Sequence, residues 1–201
     1  MIVSRISCAL SASPFPAIDH ANWVPAKGIS ASFDIHHRGT SILLKYMVRE
    51  PQVRAVNTAF NSPVWEDSCV EFFIALEGDN NYYNFEFNAI GTVLGAYGPD
   101  RSSREWLPTE SLQMIRTTPS LGRGLIENME GELSWELDII LPVKSFSFHQ
   151  VTDIAGMKTR ANFYKCGDGL KKPHYLSWKQ VQTEKPDFHQ LGFFGNLEFA
   201  F

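Results

Sequence analysis

The longest regular pattern in the chain runs through Leu133, Trp135, Leu137, Ile139 and Leu141, five apolar positions each separated by one residue and stopped by Pro142. A two-residue period puts successive side chains on opposite faces of an extended strand, so this stretch predicts a strand with one apolar face. Proline ends it because it cannot donate to the next rung of the ladder. The same period recurs along the chain. Ile29, Ala31, Phe33 and Ile35 are followed, after an Arg38-Gly39 turn, by Ile42, Leu44, Tyr46 and Val48, which predicts a hairpin. Val70, Phe72 and Ile74 make a further strand, as do Tyr83, Phe85 and Phe87. Shorter ones are expected over Val93 to Tyr97, Leu112 to Thr117, Met157 to Lys165 and Phe194 to Phe199. Nothing long has a 3.6-residue period; at most a turn of helix follows Pro142. The polar stretch from Gly98 to Pro108 predicts a long mobile loop.

About ten short strands, each with one apolar face, imply two antiparallel sheets packed face to face. The expected fold is therefore an all-β, two-sheet antiparallel β-sandwich of immunoglobulin-like or jelly-roll type. At 201 residues it is expected to form a single domain over 1–201. A net charge of −4 without any Lys/Arg cluster argues against nucleic acid and anionic membrane as partners. No segment has the length of a membrane span. Cys8, Cys69 and Cys166 are an odd number with no CxxC pair, which disfavours a disulfide framework or a structural zinc and predicts free, structural thiols at Cys69 and Cys166. Met1 to Ala12 holds no apolar run of the kind a secretion signal needs. As written the chain reads as cytoplasmic, or as secreted or periplasmic if a signal has been removed.

Two tryptophans break the strand pattern. Trp65 opens Trp65-Glu66-Asp67-Ser68-Cys69-Val70-Glu71, and Trp178 closes His174-Tyr175-Leu176-Ser177-Trp178 behind Pro173. Each borders a strand in turn-rich, polar surroundings, where an indole can offer its face to a sugar ring or another flat, weakly polar ligand. The competing reading is a rim residue that packs a loop. On the strand around Phe85, the residues Asn84, Glu86 and Asn88 share the face opposite the core, and Glu71 points away from Val70 and Phe72. Carboxylates and amides can hold vicinal hydroxyls, although a solvated polar face would also look like this.

The motifs around Trp65 to Ile74, Tyr82 to Asn88 with Gly91, Arg160 to Lys165, Leu176 to Trp178, and Pro186 to His189 leading to Phe194–Phe199 resemble family-9 carbohydrate-binding modules. More closely they resemble the stand-alone family-9-like proteins of gut and environmental bacteria, over about Trp23 to Phe199. The resemblance implies a non-catalytic sandwich module, often attached to xylanases and polysaccharide breakdown, whose two tryptophans clamp a mono- or disaccharide. It implies that Trp65 and Trp178 form the clamp, that Glu71 accepts from hydroxyls and that Asn88 is a site amide. Glu86 and Tyr175 complete the implied ligand-binding set but depart from it, since a basic residue is expected at the first and an amide at the second. No cofactor is implied beyond a structural calcium of the kind several such modules hold.

Two rival functions follow from the residues. Glu71 and Glu86 could be the acid and base of a glycosidase, which needs carboxyls on the two sides of a scissile bond. A haem-binding redox sandwich would draw on Met47, Met114, Met129 or Met157 and histidine, but these methionines are scattered. If Glu71 and Glu86 meet in one cleft, each raises the other's pKa unless Lys165, Arg160, Arg101 or a calcium ion compensates them. Such a cleft suits neutral pentoses or hexoses better than uronic acids.

Overall fold

The alternating stretches form strands, and the two longest pair with each other. The computed structural model describes residues 1–5 and 15–201. Its strands are β1 (Ile2–Arg5), β2 (Ala17–Ile18), β3 (His20–Ala21), β4 (Ser30–His37), β5 (Ser41–Ala55), β6 (Cys69–Ala75) and β7 (Tyr82–Asn88). They continue as β8 (Val93–Gly98), β9 (Glu105–Trp106), β10 (Arg116–Pro119), β11 (Ile126–Pro142), β12 (Lys158–Cys166), β13 (Tyr175–Ser177) and β14 (Gly195–Phe199). Among the described residues the one α-helix, α1, is the short Thr109–Gln113. Among the described residues no helix is long and apolar enough to cross a membrane.

The expected hairpin is β4–β5, with Phe33 opposite Tyr46 and Ile35 opposite Leu44. Its turn relies on Gly39, whose φ of 73° lies where a Cβ is strained. β11 lies against β5 with Leu137 opposite Tyr46 and Ile139 opposite Leu44, so the long alternation reads onto one face. β6 pairs antiparallel with β7 on one side and β12 on the other, and β14 continues the sheet beyond β12.

Three expectations need correction. The sheet is not purely antiparallel, and it is not split in two. β1 runs parallel to both β4 and β14, and this joins the strands into one curled, mixed sheet in the order β10-β11-β5-β4-β1-β14-β12-β6-β7-β8-β9. A strand over Leu112 to Thr117 is replaced by the end of α1 and then β10, because Pro108 starts a helical turn that buries Leu112. The stretch from Gly98 to Pro108 is folded back rather than free: Glu105 and Trp106 pair with Tyr97 and Ala96. Asp100 accepts from the backbone N–H of Ser102 and Ser103, at 2.7 and 2.8 Å. Cys8 lies outside the described residues.

The curl brings the apolar faces of the two arms together. Phe33 of β4 stacks on Phe163 of β12 with ring centroids 3.7 Å apart, and Phe163 stacks in turn on Phe72 of β6 at 5.0 Å. Tyr46, Phe85 and Trp135 fill the same core, each essentially without solvent exposure. The outer faces differ. β4 and the second half of β11 alternate between buried and more open positions, whereas every residue of β6 and β7 is buried. A second apolar cluster covers β6, β7 and β12 from outside, drawing Val181, Phe188 and Phe194 from the 181–194 segment onto Phe73, Tyr82 and Tyr164.

Candidate functional site

Strand parity decides which side chains reach this covered outer face. Glu71 of β6 is register partner to Glu86 of β7 and to Tyr164 of β12, and Cys69 is partner to Asn88 and to Cys166. Cross-strand partners point the same way, so these residues share one surface, opposite Phe72 and Phe163. Where the cover is incomplete a cleft remains. Its floor is Glu71, Glu86 and Cys166; Trp23, Trp65, Tyr175 and Phe188 line its sides; Arg101, Arg104, Asp168 and Asp187 also face it.

Trp65 stands on the 3-10 turn Val64–Glu66. That turn is held by the buried Asp67, which accepts from the N–H of Asn57 at 3.0 Å, from Asn88 Nδ2 at 2.9 Å and from Arg54 Nη1 at 2.7 Å. The carbonyl of Trp65 receives the N–H of Asp168 at 3.0 Å, which ties the turn to the loop after β12. On the other side Trp23, with a φ of 62°, donates its indole N–H to the carbonyl of Thr183 at 2.8 Å. Its ring meets Tyr175 edge-on at 5.8 Å and Phe188 at 5.6 Å. Phe188 in turn stacks on Tyr164 at 4.2 Å.

The floor carries unusual electrostatics. Glu86 is 2% exposed. Its Oε1 accepts from Asn84 Nδ2 at 3.0 Å and from Arg104 Nη1 at 3.4 Å, while its Oε2 is buried with no hydrogen-bond partner. Burial pushes the Glu86 carboxyl up to about 7, although Arg104 opposes the rise. Glu71 is also lifted well above the usual carboxylate range, first by burial and then by Glu86 beside it. The partner of its Oε1 is the thiol of Cys166, at 3.0 Å. Arg104 also donates to His189 Nε2 at 3.1 Å, so the proton of the neutral ring sits on Nδ1, facing Tyr82 Oη at 2.9 Å. Burial and Arg104 depress the His189 pKa, which keeps this arrangement neutral at His189. His189 thus pins its loop by hydrogen bonds.

The structure gathers Trp65, Glu71, Glu86 and Tyr175 in the cleft, and leaves Trp178 and Asn88 out of it. Trp178 follows the end of β13, in a bend, and its ring turns away from the cleft. There, half-buried, it packs edge-on against Phe33 at 5.9 Å and Phe163 at 5.7 Å, at the margin of the main core. Asn88 is fully buried and internally satisfied: it donates to Asn57 O and Asp67, and accepts from the N–H of Thr92 at 2.9 Å. It supports the turn that carries Trp65. The first compensating cation at the floor is Arg104, which the sequence reading did not single out; Arg101, which it did, also faces the cleft and opposes the rise at Glu86 more weakly. Lys165 points inward to Glu50 Oε2 at 2.9 Å, and Arg160 donates to the carbonyl of Asp79. Trp23 and Phe188 were also missed as wall residues. The clue for Trp23 was a tryptophan outside any alternation, next to Val24-Pro25.

A calcium ion takes oxygen ligands. Among the described residues, the grouping of three metal-capable side chains is Cys69, Glu71 and Cys166, whose two sulfurs do not suit it. Met47, Met114, Met129 and Met157 all lie outside the cleft lining.

Comparison with known proteins settles the family. The model of carbohydrate-binding family 9 matches residues 8–199. This chain belongs to carbohydrate-binding family 9. A candidate carbohydrate-binding protein from Bacteroides uniformis ATCC 8492 is similar at 40% identity, over 100% of this chain and 98% of that one, with a TM-score of 0.92. A family-9 module from Caldicellulosiruptor kristjanssonii, solved with cellotriose, shares the fold at 10% identity and a TM-score of 0.64, over 100% of this chain and 93% of that one. Its glucose complex gives 11% and 0.61, over 100% and 95%. No curated protein matches the sequence. At such low identity the Caldicellulosiruptor module speaks to the family-9 fold alone.

Proposed function

We propose that the cleft binds a neutral carbohydrate without transforming it. One observation carries this reading: an aromatic-sided cleft has a carboxylate floor whose Glu86 Oε2 is buried and lacks a donor. A sugar supplies what both parts lack. Its C–H face stacks on indole or phenol rings, and its hydroxyls donate to stranded carboxylate oxygens. The aromatic partner of Trp65 in this reading is Tyr175, backed by Trp23 and Phe188, in place of Trp178. The two arms of the curled sheet serve as the layers of a jelly-roll-like sandwich. Membership of family 9, and a relative solved with cellotriose and with glucose, support gluco-configured ligands. Xylo-oligosaccharides remain within the proposal.

The glycosidase reading fares worse on geometry. Glu71 and Glu86 are direct cross-strand neighbours on one face, side by side beneath the cleft. A glycosidase pair flanks the bond from two directions.

The test is calorimetric titration with glucose, cellobiose, xylobiose and glucuronic acid, on the wild type and on Trp65→Ala, Tyr175→Ala and Trp178→Ala. Loss of Trp65 or Tyr175 should weaken binding of a neutral sugar by about 1–2 kcal/mol, a roughly five- to thirty-fold change. Trp178→Ala should instead lower thermal stability and leave the affinity of the folded fraction near wild type. Glucuronate should bind more weakly, with the gap narrowing at high salt. Failure of every neutral sugar to bind, or affinity untouched by Trp65→Ala, would sink the proposal.

A further inference from the structure

Beneath the cleft, two strands bring sulfur and oxygen together at a point that sugar binding does not explain. Cys69 and Glu71 are two residues apart on β6 and so point the same way, and Cys166 is the direct partner of Cys69 on β12. The two sulfurs and a Glu71 oxygen all lie within 4.8 Å of one another. We propose that Cys69, Glu71 and Cys166 form a binding site for a thiophilic divalent cation, with zinc as the type case.

Three observations carry the proposal. First, the ligands are preorganised. They sit on hydrogen-bonded neighbouring strands, so their directions are set by the sheet and not by a flexible loop. Ligand atoms around a tetrahedral zinc lie roughly 3.8 Å apart when the metal–sulfur distance is about 2.3 Å. Second, Glu71 is 3% exposed and, among the described residues, makes no ion pair with any lysine, arginine or histidine. A buried carboxylate whose charged neighbour is another carboxylate calls for a cation, and Arg104 reaches Glu86 instead. Third, Glu71 and Cys166 line the cleft while Cys69 lies deeper, so the cleft gives an ion an entry path to them.

Two thiolates and one carboxylate select a soft or borderline ion over calcium or magnesium. On binding, each S–H bond breaks, its proton passing to solvent while the electron pair stays on sulfur as a thiolate that donates it to the metal; any proton held by the Glu71 carboxyl passes to solvent as well, and no redox partner is needed. The site does not depend on the carbohydrate reading, since metal alone occupies it.

The experiment uses the full chain carrying Cys8→Ser, so that only the two strand thiols are counted. After reduction and chelator removal, the protein is titrated with cobalt(II). The expected result is one equivalent bound, with a near-ultraviolet thiolate-to-cobalt charge-transfer band that zinc abolishes by displacement. Cys166→Ser and Glu71→Gln should each weaken zinc by at least the roughly 10–100-fold typical of removing a merely supporting group. If a variant misfolds, zinc-dependent protection of Cys69 and Cys166 from alkylation in the Cys8→Ser protein gives the same answer. No charge-transfer band, no protection by zinc, or recovery of the two cysteines as a reductant-resistant cross-strand disulfide would each overturn the proposal.

Discussion

The arm built from β4, β5 and β11 and the arm built from β6, β7 and β12 share an inner core but treat their outer faces differently. In the first arm the outer positions hold Asp34, Lys45, Glu136 and Asp138, and Lys45 pairs with Glu136 at 2.6 Å in partial exposure. In the second arm the corresponding positions hold Cys69, Glu71, Asn84, Glu86, Asn88 and Cys166, all buried. Both arms read as apolar-in, polar-out. The difference is that one polar face meets water and the other meets protein, so that only the second leaves carboxylates without enough donors. A polar strand face becomes a binding floor when something covers it incompletely.

The largest effect expected from this contrast lies where the arms agree. Phe163→Ala removes the ring stacked between Phe33 and Phe72, and should destabilise the fold by about 3–5 kcal/mol in a urea melt. A loss below about 1 kcal/mol would mean that the arms are not held through this contact.

Glu86→Gln tests the covered face. The carboxyl is raised from an ordinary 4.5 to about 7. The folded state therefore holds a proton that the unfolded chain releases across that window. Stability should fall as pH rises from about 4.5 to 7 and stay low above it, by up to about 3 kcal/mol. Glu86→Gln should flatten that part of the profile and be more stable than wild type at pH 8, less so at pH 4. An unchanged profile would mean that Glu86 is better compensated by Arg104 than its orphaned oxygen suggests.

The open face should respond least. Lys45→Ala, which breaks the Lys45–Glu136 pair, should change stability by no more than about 0.5 kcal/mol, and less in high salt. A larger change would erase the distinction between the two faces.

Much of this was legible in the chain, for physical reasons. Alternation in β4, β5, β7 and β11 reports one apolar face directly, and the same parity put Glu71 and Glu86 on a surface away from the core. The direction of Trp178 was not legible, because it stands in a bend just past β13, where no alternation fixes a side chain. β1 was not legible, because four residues with a single buried side chain, Val3, carry no period. Arg104 was hidden for a different reason. It reaches Glu86 from a loop 18 positions away, and only the fold-back through β9 brings them together. The cover over β6 and β7 comes from irregular segments such as Pro186–His189, whose apolar residues pack without any repeat.

The parallel seam at β1 has a consequence for how the molecule is made. Val3 is partner to Phe199, the N–H of Ala200 bonds the carbonyl of Val3 at 2.9 Å, and Arg5 on the same strand is partner to His37. The arms are thus stitched by a rung that spans nearly two hundred residues of sequence. Contacts of that separation are entropically late, so β1 and β12 must each wait with an unpaired edge until β14, residues 195–199, has emerged from the ribosome. Exposed strand edges invite pairing with neighbouring chains. The vulnerable species for aggregation is therefore the nascent, unstitched chain, and crowding among ribosomes on one message should matter more than the stability of the finished fold.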